Sequence, residues 1–178
     1  MVLKYRVSLP GLKGFARVYE VKPTTSLYSL HKQMRADMDF PQDQVVLFKA
    51  FDAAGNVAAR YSVFQDFGLG TIDAVTVAEC HKRGDYKFIY FYDTTNVKSV
   101  IVTFDGEGVE RPFEVYPLLV ETKGPNPIEF ENGYVAFEDL PDDKKKDPDD
   151  EDFDDDDDDV AEDEDDETEE IYGDDDDE

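Results

Sequence analysis

Negative charge is spread so unevenly along this 178-residue chain that it limits how much of the chain can fold. Pro141 to Glu178 holds 26 of the 45 acidic residues and 3 of the 18 basic ones, a balance of −23, whereas residues 1–140 stand at only −4. Within that acidic stretch Phe153, Val160, Ile171 and Tyr172 supply nearly all the apolar surface. Burying so little cannot offset the entropy of ordering the segment, so residues 141–178 are expected to be a disordered polyacidic tail. The foldable unit is then a single domain, residues 1–140. A domain of that length can bury about two-thirds of the surface its unfolded chain exposes, so it needs neither a disulfide nor a metal staple. The one cysteine, Cys80, has no internal partner.

The start of the chain, "MVLKYRVSLPG", alternates polar and apolar residues and lacks the long apolar core of a signal peptide. No apolar run approaches the roughly 20 residues of a membrane span. A cytoplasmic, monomeric protein without membrane contact is the expectation, with the lone thiol in keeping with a reducing compartment.

Periodicity places the elements. Leu3, Tyr5, Val7 and Leu9 fall on one side of a strand and Lys4, Arg6 and Ser8 on the other. "LPGLKG" supplies turn residues and "FARVYEV" alternates again, which predicts a hairpin. Thr25 or Ser26 can cap a helix whose stripe is Leu27, Leu30, Met34 and Met38, and "VVLFKAF" follows as a third strand. Hairpin, helix and strand in that order predict a β-grasp-like (ubiquitin-like) first half. A short strand at "ARYSVF" comes next, then "TVAECHKRG", where Thr76 and Glu79 have capping-box spacing and Gly84 can close the helix. "YKFIYFYD", the turn "TTN" and "VKSVIVTFD" predict a second hairpin, "RPFEVYPLLVETKG" a last strand, and "PNPIEFENGY" an irregular return over the sheet. The expected class is α+β with a mixed sheet.

The segments "KRGDYKFIYFYD" and "YPLLVETKGPNPIEFENGY" resemble the plasmid pRiA4b ORF-3-like family, some of whose members carry the label insertion-sequence passenger TnpR family. That family's signature runs roughly Tyr-x-Tyr-Asp-Phe-Gly-Asp-x-Trp-x-His, with a later Pro-Pro-Glu-Asp segment and a Gly-Tyr. Tyr90, Tyr92 and Asp93 match its first part, while Thr94, Thr95 and Asn96 replace Phe-Gly-Asp, Lys98 the Trp and Val100 the His. Pro127 and Glu129 correspond to the second segment, and Gly133 and Tyr134 to the Gly-Tyr. The resemblance spans about Leu3 to Tyr134. It implies a divergent member with an added polyacidic tail, and a mobile-element context rather than a defined reaction.

Several residues invite a chemical role. Tyr86, Phe88, Tyr90 and Tyr92 share one strand face and Ile89 and Phe91 the other, the pattern of an internal strand covered on both sides. A base-stacking platform would need flanking cations, and only Lys87 and Lys98 stand near. Asp93 opens the turn "DTTN", where its carboxylate can accept backbone N–H bonds, and no histidine stands at position 100 to act with it. Cys80, His81 and His31 lack metal-ligand spacing, "GLG" is too short for a nucleotide fingerprint, and "DGEGVE" lacks the spacing of a calcium loop. No catalytic residue, metal or cofactor is therefore assigned. Tyr90, Tyr92 and Asp93 are the candidate binding residues of the domain, and Phe153 and Tyr172 those of the tail.

Extended, Asp154 to Asp159 would carry one negative charge about every 3.4 Å, close to the phosphate spacing of a single nucleic-acid strand. A basic or nucleic-acid-binding protein could accept it, with the isolated Phe153 and Tyr172 as anchors, whereas direct binding of DNA is opposed by like charge. The sequence thus points to a non-enzymatic interaction or adaptor protein. The alternative is a mobile-element-associated enzyme or nucleic-acid-processing accessory acting at the surface around Tyr90, Tyr92 and Asp93.

Overall fold

In β1 (Val2–Ser8) and β2 (Ala16–Val21) the alternation of apolar residues becomes an antiparallel hairpin in which Tyr5 stands opposite Tyr19. The structure is a computed structural model in which residues 1–142 are described, so the acidic tail, with Phe153 and Tyr172, lies outside the described residues apart from its first two positions. After the hairpin come α1 (Leu27–Asp37), β3 (Leu47–Phe51), β4 (Val57–Ser62), α2 (Val77–Arg83), β5 (Lys87–Asp93), β6 (Lys98–Gly108), β7 (Leu118–Lys123), α3 (Pro127–Glu131) and a single 3-10 turn at Phe137–Asp139.

The seven strands form one sheet in the order β4-β3-β5-β6-β1-β2-β7, and every pairing is antiparallel. The expected mixed sheet is corrected on this point. Hairpin connections pair their strands antiparallel by construction, and the long connections here return each strand beside a partner running the opposite way. The hairpin, helix and strand of the first half follow one another as expected. The crossover through α1, however, sets β3 down away from the first hairpin, and the β5–β6 hairpin fills the space between β3 and β1.

One sheet face carries the core. Tyr5, Phe15, Tyr19, Phe48, Tyr61, Phe88 and Tyr90 are each 2% exposed or less, and Leu27, Leu30 and Met34 of α1 and Val77 and Cys80 of α2 join the same cluster. On the opposite face the sheet is laced by ion pairs, with Arg6 between Asp105 and Glu121 and the buried Glu20 between Lys4 and Arg111. A one-residue slip of β1 would exchange Tyr5 for Arg6 against the helices, so this split of faces sets the register.

The first two helices begin as their capping residues dictate. Ser26 caps α1 through its hydroxyl, which accepts from Ser29 N–H, and Thr76 forms a complete capping box with Glu79. Gly84 closes α2 at φ 86°, a left-handed conformation that glycine adopts without a Cβ clash. The two helix starts are stitched to each other: Leu27 N–H donates to Val75 O at 3.0 Å and Val77 N–H to Thr25 O at 2.8 Å. Removing the Thr76 hydroxyl in Thr76→Ala is expected to cost about 1 kcal/mol. A lower urea midpoint with an unchanged m-value would show it.

The segment "PNPIEFENGY", expected to be irregular, instead winds into α3, with Pro127 in its first turn. A proline there forfeits no intrahelical bond and has φ already set for helix, a signal that outweighs the turn-like composition. No helix among the described residues is long and apolar enough to cross a membrane.

Candidate functional site

The aromatic strand β5 lies inside the sheet between β3 and β6, with Tyr90 opposite Phe48 on one side and Val100 on the other. Phe88, Tyr90 and Tyr92 point into the core face, and Tyr90 is fully buried. The expectation of cover on both faces is corrected: Ile89 and Phe91 are only half-buried, and Lys49 lies over the Phe91 ring at 4.7 Å. Tyr86 also leaves the aromatic face. It precedes the strand proper and is 47% exposed, packing on His81 and Phe104 instead.

Tyr90, Tyr92 and Asp93 are neighbours in sequence, yet they have separate partners. Tyr90 reaches under α1, where its Oη lies 2.6 Å from His31 Nδ1, and its ring stacks on Phe48 with centroids 4.6 Å apart. Tyr92 stacks on Phe40, centroids 3.8 Å apart and planes within 5°, and its hydroxyl donates to Glu131 of α3 at 3.2 Å. Lys98 donates to the other Glu131 oxygen at 2.6 Å, closing a hollow of about 90 Å³ beside Met38, Pro41 and Ile128. Asp93 accepts from Thr95 N–H, Asn96 N–H and the Asn96 side chain at 3.0, 3.0 and 2.7 Å. Those bonds, led by the Asn96 side chain, hold its carboxyl below the usual carboxylate range. Each of the three is thus engaged within the fold, and no common surface gathers them.

The hydrogen bond at Tyr90 has a definite direction. Burial raises the phenol above its ordinary range, which Arg35 nearby only partly offsets, so Tyr90 keeps its proton. Arg35 also hydrogen-bonds the buried hydroxyl and occupies its accepting side, so Tyr90 donates and His31 Nδ1 accepts. Burial, with Arg35 and Lys32 alongside, pushes the imidazole from 6.5 down to about 4. At neutral pH His31 is therefore uncharged and carries its proton on Nε2, as a weak base and a hydrogen-bond donor.

His31 also lines a cleft of about 500 Å³ between α1, the segment 42–46 and the end of β4. Tyr28, Lys32 and Arg35 flank it on α1, and Val63 and Phe64 close the far side. Arg35 donates to Gln42 O at 2.8 Å and Gln44 O at 2.9 Å, so its guanidinium fastens the 42–46 wall through neutral acceptors. Its Nε is buried without a hydrogen-bond partner. Lys32 lies 5.9 Å over the Tyr28 ring, and none of the ion pairs among the described residues includes Lys32 or Arg35.

Sequence reasoning weighed His31 as a metal ligand and left Lys32, Arg35 and Phe64 unmentioned. A signal was present: Tyr28, His31, Lys32 and Arg35 stand at i, i+3, i+4 and i+7, one face of a helix beside its apolar stripe. Phe64 had no such signal, because its place opposite α1 depends on the β3–β4 hairpin. Glu131 was likewise missed, since Glu129 had been the residue matched to the later segment.

A second polar group surrounds Cys80. Tyr61 donates to Asp85 at 2.7 Å, Arg83 donates to Tyr61 Oη at 2.7 Å, and burial pushes the Cys80 thiol up to about 11. A thiol held that high is not a nucleophile at neutral pH, which leaves Cys80 a packing residue. Among the described residues no three His, Cys, Asp or Glu side chains come together as a metal site.

The fold is similar to the crystal structure of a protein of unknown function, MM3350 from Methanosarcina mazei Go1, with a TM-score of 0.57 over 68% of each chain. The two share 17% sequence identity, so the likeness is one of fold alone. No family model matches the chain, and no curated protein matches it in sequence.

Proposed function

We propose that this is a non-enzymatic interaction or adaptor protein, an α+β domain bearing an acidic segment, residues 141–178, that engages a basic partner such as a nucleic-acid-binding protein. The partition of charge carries this reading: −23 on the tail against −4 on residues 1–140. The engagement of Tyr90, Tyr92 and Asp93 inside the fold supports it, because their polar groups are already bonded within the domain. The protein is read as a cytoplasmic monomer that does not bind DNA directly, and the buried Cys80 thiol suits a reducing compartment. The first half is read as β-grasp-like, with the β5–β6 hairpin intercalated between its hairpin and its third strand.

The test is binding of a fluorescently labelled lysine-rich peptide by the full chain and by a chain ending at Leu140, at low and at high salt. The full chain should bind with a steep salt dependence, and loss of residues 141–178 should weaken binding by roughly tenfold or more at low salt. Equal binding by both chains would remove the tail from the function.

A second reading keeps the resemblance to the pRiA4b ORF-3-like family and makes the protein a mobile-element-associated enzyme or nucleic-acid-processing accessory. What favours it is that the two stretches behind the resemblance meet: Tyr92 and Lys98 both bond Glu131. If that reading holds, single-stranded DNA should bind the full chain and release on Tyr92→Phe or Lys98→Ala. No binding of single-stranded DNA sinks it.

A further inference from the structure

The cleft beside α1 brings two cations and an imidazole together with exposed aromatic side chains. Its volume of about 500 Å³ lies within the range of small-ligand sites. Two of its walls are apolar or aromatic, with Val63 half-buried, and Phe64 82% and Tyr28 39% exposed. Phe64 thus offers an exposed aromatic ring at the rim of the cleft. Opposite it stand two cations. Lys32 lies over the Tyr28 ring and Arg35 bonds two backbone carbonyls and the Tyr90 hydroxyl, so among the described residues neither charge is in an ion pair with a carboxylate. Asp43, the one acid lining the cleft, is bonded by Gln44 Nε2 at 3.3 Å and lies on the 42–46 wall. Counting Asp43, the lining still carries one net positive charge, on a domain that is negative as a whole.

Between the cations sits His31, with Nδ1 taken by Tyr90 and Nε2 left holding a proton. The neutral imidazole therefore adds a donor to a lining that is already positive, without adding an acceptor. A site with a donor, two cations and apolar walls selects a ligand with an anionic head and a flat apolar body. A phosphate or sulfate alone would leave the walls unfilled, and a neutral ring would leave the cations unanswered.

We propose that the cleft formed by Tyr28, His31, Lys32, Arg35, Val63 and Phe64 is a binding site for small planar organic acids, with the carboxylate held by Lys32, Arg35 and His31 Nε2–H and the ring laid against Phe64. This site is independent of the acidic tail.

The test is calorimetric titration of the full chain with 2-naphthoate and, separately, with 2-naphthamide, which has the same ring and no charge. Saturable binding of the acid at about ten times the affinity of the amide is expected. Lys32→Glu and Phe64→Ser, both at exposed positions where folding is not at stake, should each weaken 2-naphthoate by about tenfold. The same charge reversal at Lys82, exposed on α2 and away from the cleft, should leave it unchanged. Equal affinities for acid and amide, indifference to Lys32→Glu, an equal loss on Lys82→Glu, or no saturation at millimolar concentration would each overturn the proposal.

Discussion

Tyr90→Ala is expected to lower the unfolding free energy by roughly 4 kcal/mol, the range for emptying a buried aromatic site whose surroundings cannot collapse. The side chain is wholly buried on a central strand, its ring stacked on Phe48 and in edge contact with His31. Pleated neighbours on both sides hold the backbone in place, so the vacated volume stays open. Tyr90→Phe keeps the ring and removes only the hydroxyl, which leaves His31 Nδ1 without its donor, and it should cost about 1 kcal/mol. Urea unfolding of the two variants reads both effects. A surface tyrosine would behave otherwise, with changes inside about 0.5 kcal/mol for either substitution. The pair of measurements therefore decides whether the "YKFIYFYD" strand is scaffold or exposed platform at Tyr90.

The second large effect is a pH dependence seated at His31. The unfolded imidazole titrates near 6.5 and the folded one at about 4, so between those values the unfolded chain holds the extra proton. Stability contributed by the neutral ring is complete above pH 6.5 and is lost as pH falls toward 4. At roughly 1.4 kcal/mol per pH unit the ceiling is about 3 kcal/mol, and solvent reaching the ring from the cleft reduces it to about 2. His31→Gln cannot take up a proton, yet its amide can still accept from Tyr90. The difference in urea midpoint between pH 7.5 and pH 4.5 should therefore shrink in His31→Gln by the equivalent of about 2 kcal/mol. The carboxylates titrate in both chains, so the subtraction isolates the imidazole. An identical acid slope in the two proteins would place His31 in ordinary contact with water.

Local structure was legible because its causes are local. Ser26, Thr76, Glu79 and Gly84 announce their helix ends by side-chain reach and by the freedom of a missing Cβ, and all of them stand where spacing put them. The alternation in β1 likewise named its buried set, Leu3, Tyr5 and Val7. The role of Asp93 followed from turn chemistry confined to residues 93–96. The candidate site was a different matter. Tyr90 and Tyr92 share a face by period, but which helix covers each depends on where α1 and α3 come to rest. One tyrosine met a histidine 59 residues away and the other a glutamate 39 residues away. Nothing in the pattern of β5 encodes those distances.

The division of charge, the type and ends of most elements and the apolar side of each are legible residue by residue, because they depend on positions close together in the chain. That the sheet is antiparallel throughout, that β5 and β6 stand between the first hairpin and β3, and that Tyr28, His31, Lys32 and Arg35 face Phe64 across a cleft emerges only in the folded chain. Strand order and cleft walls are set by burial of the whole aromatic face at once, a free energy shared among segments far apart in the chain and carried by no single one of them.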